Sequence, residues 1–158
     1  MARVRLECSV GVRNPPAVNH HPGYDKEYRL QTVTVATSAR VEMIDITSEV
    51  IEALRQEKVS EGIAVVFVPH TTAAVTINEN ADPDVVRDIL AETGKIVPFD
   101  DHYKHGEGNS AAHIKTCLVG PSLTLIVSGG RPVLGTWQAI YFCEFDGPRR
   151  RKVYVTAR

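Results

Sequence analysis

Several absences narrow the field before any motif is read. The 158-residue chain has no apolar run near the roughly 20 residues needed to cross a bilayer, and its start lacks the apolar core of a signal peptide. Its three cysteines, Cys8, Cys117 and Cys143, are an odd number without C-x-x-C spacing. Neither a disulfide framework nor a thiolate zinc site is suggested, and a reducing compartment, the cytoplasm, is expected. Charge of one sign is also missing. Eighteen basic residues against nineteen acidic ones leave a net charge of −1, with "GPRRRK" at 147–152 as a local basic cluster. Such a chain makes no strong field for a polyanion, so neither nucleic acid nor a membrane is expected as partner. No internal repeat or low-complexity tract is visible.

What is present describes a globular protein. Hydrophobic residues make up 43% of the chain and charged ones 23%, and a chain of this size removes roughly 70% of its unfolded surface from water without covalent staples. Residues 1–28 include "RNPPAVNHHPGYDKEY", whose prolines and polar residues read as an irregular arm, with His20 and His21 as a solvated pair. One domain, 29–158, follows.

"LQTVTVAT" (30–37) alternates as a half-exposed strand, and "GIAVVFV" (62–68) is apolar at both parities, as in a strand buried on both faces. "AAVTI" (73–77), "SLTLIVS" (122–128), "TWQAIYFCEF" (136–145) and "KVYVTA" (152–157) add strands. Helices are expected over 45–58, over 82–93 with Asp82 as N-cap, Pro83 at the first position and Gly94 as stop, and from Asn109 to Gly120. Strands outnumber helices at hairpin spacing, which predicts an α+β fold with a mainly antiparallel sheet or sandwich and a few helices.

The chemistry concentrates in "HGEGNSAAHIK" (105–115). Gly106 and Gly108 let the loop bend back, so His105 and His113 can converge beside free N–H groups at a helix start. Imidazole nitrogens suit a zinc-like ion, and the helix start suits an anion. Ideal helical spacing turns Ala111, Ile114 and Leu118 toward the core and Lys115 away from His113, toward another surface or subunit. Cys117 reads as a small buried thiol. His70 leaves the buried strand 62–68 where Pro69 breaks the ladder, and Asn78, Glu79 and Asn80 follow. "SGGRPVLGTWQ" (128–138) and "EFDGPR" (144–149) add adaptable backbone and Arg149, which can grip phosphate bidentately.

Together "VFVPHTTAAVTINENADPD", "HGEGNSAAHIK" and "LGTWQAIYFCEFDGPR", in this order and spacing, closely resemble the YjbQ-like family of secondary thiamine-phosphate synthases, over about residues 29–157. Ser110 stands where alanine is expected. The resemblance implies a YjbQ-like α+β fold, a homotrimer with its pocket near a subunit boundary, and a small phosphorylated metabolite as ligand. By position it implies His70, His105 and His113 as metal ligands, Glu79, Glu144 and Asn109 as catalytic candidates, and Asn78, Thr136, Gln138 and Arg149 as substrate or phosphate contacts. The implied reaction couples a phosphorylated thiazole to an aminomethylpyrimidine diphosphate and releases diphosphate. Three histidines favour a zinc-like divalent metal, with magnesium as the alternative that diphosphate departure suits better. Two other readings fit the same residues: a hydrolase using histidine-bound water with Glu79 or Glu144 as base, and a trimer that binds a phosphorylated metabolite without turnover.

Overall fold

A computed structural model describes residues 3–7 and 30–158. Alternation of side chains builds its strands: β2 (Gln31–Ala36), β4 (Gly62–Phe67), β6 (Ser122–Ser128) and β9 (Arg150–Ala157) each turn valines or leucines inward. With β1 (Arg3–Glu7) and β7 (Arg131–Pro132) they form a six-stranded sheet in the order β1-β2-β9-β4-β6-β7. A three-stranded sheet, β3-β8-β5, combines β3 (Glu42–Asp45), β8 (Gln138–Glu144) and β5 (Ala73–Glu79). Every pairing is antiparallel, which bears out the expected α+β fold.

The main core lies between the two sheets. Val33, Val35, Val66, Leu125, Val153 and Val155 of the large sheet meet Val75, Ile140 and Phe142 of the small one, and helix α1 (Thr47–Glu57) adds Val50, Ala53 and Leu54. A second cluster covers the opposite face of the small sheet, where Ala74, Tyr141 and Cys143 meet Ala112 of α3 (Ser110–Val119) and Val86 of α2 (Pro83–Ile96). Burial pushes the Cys143 thiol up to about 12, so it is an inert core group.

Several expectations are revised. Arg3–Glu7, placed in an irregular arm, is a strand paired with β2; residues 8–29, with Cys8, His20 and His21, lie outside the described residues. β2 is buried on both faces rather than half exposed. β4 shows the reverse: Ala64 and Val66 are buried while Ile63 is 55%, Val65 38% and Phe67 41% exposed. Gly94 does not stop α2, which runs to Ile96.

The largest revision is the rotation of α3. Ile114 and Leu118 are exposed, whereas Ala111, Ala112, Lys115 and Thr116 are buried. Two adjacent alanines let the helix approach β5 closely, and that close packing outweighs burial of the larger apolar side chains on the other face. Lys115 therefore points inward and Cys117 is exposed, against both expectations.

Candidate functional site

β8 of the small sheet ends at the DGPR turn (146–149), β9 of the large sheet begins after it, and the start of α3 meets the turn where Asn109 bonds Asp146. Between them lies an open polar cleft of about 330 Å³ lined by Pro69, His70, Thr71, Thr72, Glu107, Asn109, His113, Asp146, Arg149 and Arg151. Its floor is a buried ion pair. Arg151 donates Nε to Glu144 Oε2 (2.7 Å) and Nη2 to Glu144 Oε1 (2.6 Å), and Nη2 also reaches Thr72 Oγ1 (2.9 Å). Glu144 Oε1 further accepts the N–H groups of Phe145 and Asp146, and Thr37 Oγ1 lies 3.2 Å from Oε2. Fully buried and saturated with donors, Glu144 has no lone pair to offer a substrate; its expected role as a base gives way to that of an anchor.

The cleft's walls are equally specific. Asn109 occupies the N-cap position of α3 without capping it. Its Nδ2 donates instead to Asp146 Oδ2 (3.1 Å), and its buried Oδ1 has no partner. Asp146 Oδ2 also takes Arg149 Nη2 at 2.7 Å, and Arg149 Nε donates to the Asp146 carbonyl at 2.6 Å. Arg149, 54% exposed along its side chain, is thus held at the rim with donors to spare.

His70 is a different histidine from the one expected. Its Nε2 accepts the Lys152 N–H at 2.9 Å. A neutral imidazole has one lone pair, so this bond places the proton on Nδ1 and leaves an N–H donor, not a metal ligand. Burial first, then the Arg151 charge, holds His70 below the ordinary imidazole range, so it is neutral near pH 7.

His113 lies between two depressions. Beyond the polar cleft it lines a largely apolar groove of about 420 Å³ with Tyr103, His105, Ser110 and Ile114. The rings of His105 and His113 meet edge to face with centroids 5.5 Å apart. His105 Nε2 lies 3.7 Å from Glu107 Oε2. Among the described residues no three His, Cys, Asp or Glu side chains group as a metal site. A zinc-like three-histidine centre therefore does not fit this donor set.

Of the remaining expected residues, Asn78, Glu79, Thr136 and Gln138 do not reach the cleft. Glu79 pairs with Gln138, whereas Ala73 pairs with Glu144 at the cleft end; six residues of strand separate the two ends by roughly 20 Å. Asn78 Oδ1 takes the Glu79 N–H, and Gln138 Oε1 takes the Gly135 N–H. Near them Tyr141 OH lies 2.8 Å from Asn80 Oδ1, and Asn80 Nδ2 donates to Asp45. Burial, then Asp45, raises the Tyr141 hydroxyl. Conversely, Thr72, Glu107, Asp146 and Arg151 were missed. One signal existed for Arg151: it shares strand parity with inward Val153 and Val155, as Glu144 does with Phe142 and Ile140.

Comparison with known proteins agrees on one family. The profile of the UPF0047 protein YjbQ-like family matches residues 31–158. UPF0047 protein MJ1081 of Methanocaldococcus jannaschii is 54% identical over 121 residues, 77% of this chain and 88% of that protein. UPF0047 protein YugU of Bacillus subtilis is 51% identical over 127 residues, 80% and 96% of the two chains. Among solved structures, an uncharacterized YjbQ/UPF0047 protein of Clostridium acetobutylicum superposes with a TM-score of 0.79 at 55% identity, covering 80% of this chain and 98% of the other. The hypothetical protein APE1520 of Aeropyrum pernix gives 0.78 at 39% identity, with 82% and 98% covered. With its fold, motifs and full domain all matched, the chain belongs to the YjbQ-like UPF0047 family.

Proposed function

We propose that the cleft holds the phosphate or diphosphate end of a small cytoplasmic metabolite while the adjoining groove takes its less polar body, with His113 at the junction. The observation that carries this reading is the shared His113: one imidazole borders both a polar cleft and an apolar groove. Arg149, the His70 Nδ1–H and the start of α3 are the donors offered to oxyanions. A phosphorylated ring compound fits both depressions, which favours the thiamine-phosphate synthase reaction. In that reaction a bond forms between the thiazole nitrogen and the pyrimidine methylene carbon as the carbon–oxygen bond to diphosphate breaks. His113 is the side chain placed to give a proton to the departing oxygen.

Charge supports a bound cation in this reading. Counting arginines and carboxylates alone, Arg149 and Arg151 face Glu144, Asp146 and Glu107, which leaves one negative charge in excess. Magnesium, an oxygen-seeking ion that binds through one or two carboxylates plus substrate phosphates, suits Glu107 and Asp146; when bound it supplies charge neutralisation for diphosphate. The hydrolytic reading is weaker, because Glu144 is saturated and Glu79 is at the other end of the ladder. We assign self-association, as a homotrimer, to the exposed apolar face of β4 and β6, where Ile63 is paired with Ile126.

The test combines phosphorylated thiazole, aminomethylpyrimidine diphosphate and magnesium, and follows thiamine phosphate and diphosphate together. Equal amounts of both products, lost in Arg149→Ala, are expected. Diphosphate release without coupling would favour hydrolysis; saturable binding without either product would favour a binding protein.

A further inference from the structure

Arg40, Phe99 and Lys115 form a cluster that the cleft does not use. They come from three segments: the β2–β3 turn, the α2–α3 connection and the second turn of α3. Lys115 is 1% exposed, and its Nζ stands 4.3 Å from the Phe99 ring centroid. The guanidinium carbon of Arg40 stands 3.8 Å from the same centroid. Among the described residues neither cation has a carboxylate within ion-pair distance.

This arrangement is electrostatically incomplete. A buried ammonium ordinarily carries a counter-ion, because one aromatic face recovers only part of the hydration it has lost. A second cation on the same ring adds repulsion. Burial and, after it, Arg40 hold Lys115 below the ordinary lysine range. The fork of Arg40 is mostly unused: Nη2 makes a long 3.4 Å bond to the Gly108 carbonyl, and among the described residues this exposed side chain makes no other hydrogen bond.

We propose that Arg40 and Lys115 together bind a phosphate-class oxyanion, Arg40 forming the mouth of the site and Lys115 its buried end. Two positive charges match the roughly −1.5 to −2 of a phosphate better than the single charge of a carboxylate. The site also touches the cleft mechanically. Arg40 reaches Gly108 through its side chain and receives the Gly147 N–H on its carbonyl at 3.0 Å, so an anion that fixes Arg40 steadies both cleft walls.

The experiment follows the lysine Cε carbons of 13C-lysine protein by NMR during titration with inorganic phosphate, glycerol phosphate or acetate at matched ionic strength. The Lys115 signal is assigned with Lys115→Met. A saturable Lys115 shift with phosphate is expected in the unaltered protein and in Arg149→Ala, which removes only the cleft's rim arginine. Arg40→Gln, at an exposed position that tolerates change, should weaken the response at least about tenfold. A tighter response to glycerol phosphate identifies the phosphate end of a metabolite, and a response to inorganic phosphate alone identifies the free ion. An unmoved Lys115 signal, an equal response in Arg40→Gln, or acetate matching phosphate would overturn the proposal.

Discussion

Glu144 and Arg151 decide whether the cleft has a floor. Both side chains are buried, and each is the other's principal partner. Removing one member of such a pair leaves a buried charge alone, so Glu144→Gln, which weakens it, and Arg151→Met, which strands Glu144, should each destabilise, by up to about 3–5 kcal/mol for the stranded charge. Urea unfolding measures this directly; losses under about 1 kcal/mol would mean that the pair behaves as a surface salt bridge. His70 makes a pH prediction. Its folded pKa is depressed, so the unfolded chain takes up the proton first as pH falls. Stability from His70 is therefore complete above the ordinary imidazole value, about 6.5, and is lost as pH drops through the lower folded value. Gln at position 70 can accept the Lys152 bond without titrating, so His70→Gln should flatten the fall in urea-measured stability between pH 7.5 and 5.5. At this scale the sequence pointed to His70, His113, Asn109 and Arg149, because motifs mark residue types; which lone pair each one spends is decided by neighbours distant in the chain, such as Lys152.

The elements show where patterns carry information and where they mislead. Strands at 62–67, 73–79, 122–128 and 138–144 were legible from alternation and β-branching. Short β3 and β7 were not, since four and two residues are too few to establish a period. For α3 the apolar-in rule selected the wrong face, because it weighs side-chain size and not how near a helix of alanines can approach a sheet. Leu118→Ser should then change the stability of the chain by less than about 0.5 kcal/mol, as at an exposed site, whereas Ala112→Leu should cost about 1–3 kcal/mol through overpacking. The opposite ranking in urea unfolding would restore the face expected from sequence. The turn joining β8 to β9 gives another test. A Cβ on Gly147 would collide with the Ala39 carbonyl and come within 2.8 Å of Glu144 Cγ and 2.9 Å of Thr37 Oγ1. Gly147→Ala should cost at least about 1–3 kcal/mol and disturb the cleft's Asp146 and Arg149 together.

For the whole molecule, exposed apolar surface is the feature to explain. Ile63, Val65, Phe67 and Ile126 lie on the outer face of the large sheet, the first three on β4, whose sequence reads as buried on both faces. The proposed self-association would reconcile the two by covering this face with other copies. Phe67→Lys should reduce the sedimenting mass toward that of one chain while leaving far-ultraviolet circular dichroism unchanged; an unchanged mass would move the contact to another face. No described helix is long and apolar enough to cross a membrane. The central claim, a cleft that takes diphosphate through Arg149 and needs magnesium to do so, is tested most directly by calorimetric titration of diphosphate into the protein with and without magnesium, at pH 7.5. Saturable binding that appears with magnesium and weakens at least about tenfold in Arg149→Ala is the predicted result; binding that is indifferent to both the ion and Arg149, or no binding at all, would contradict it.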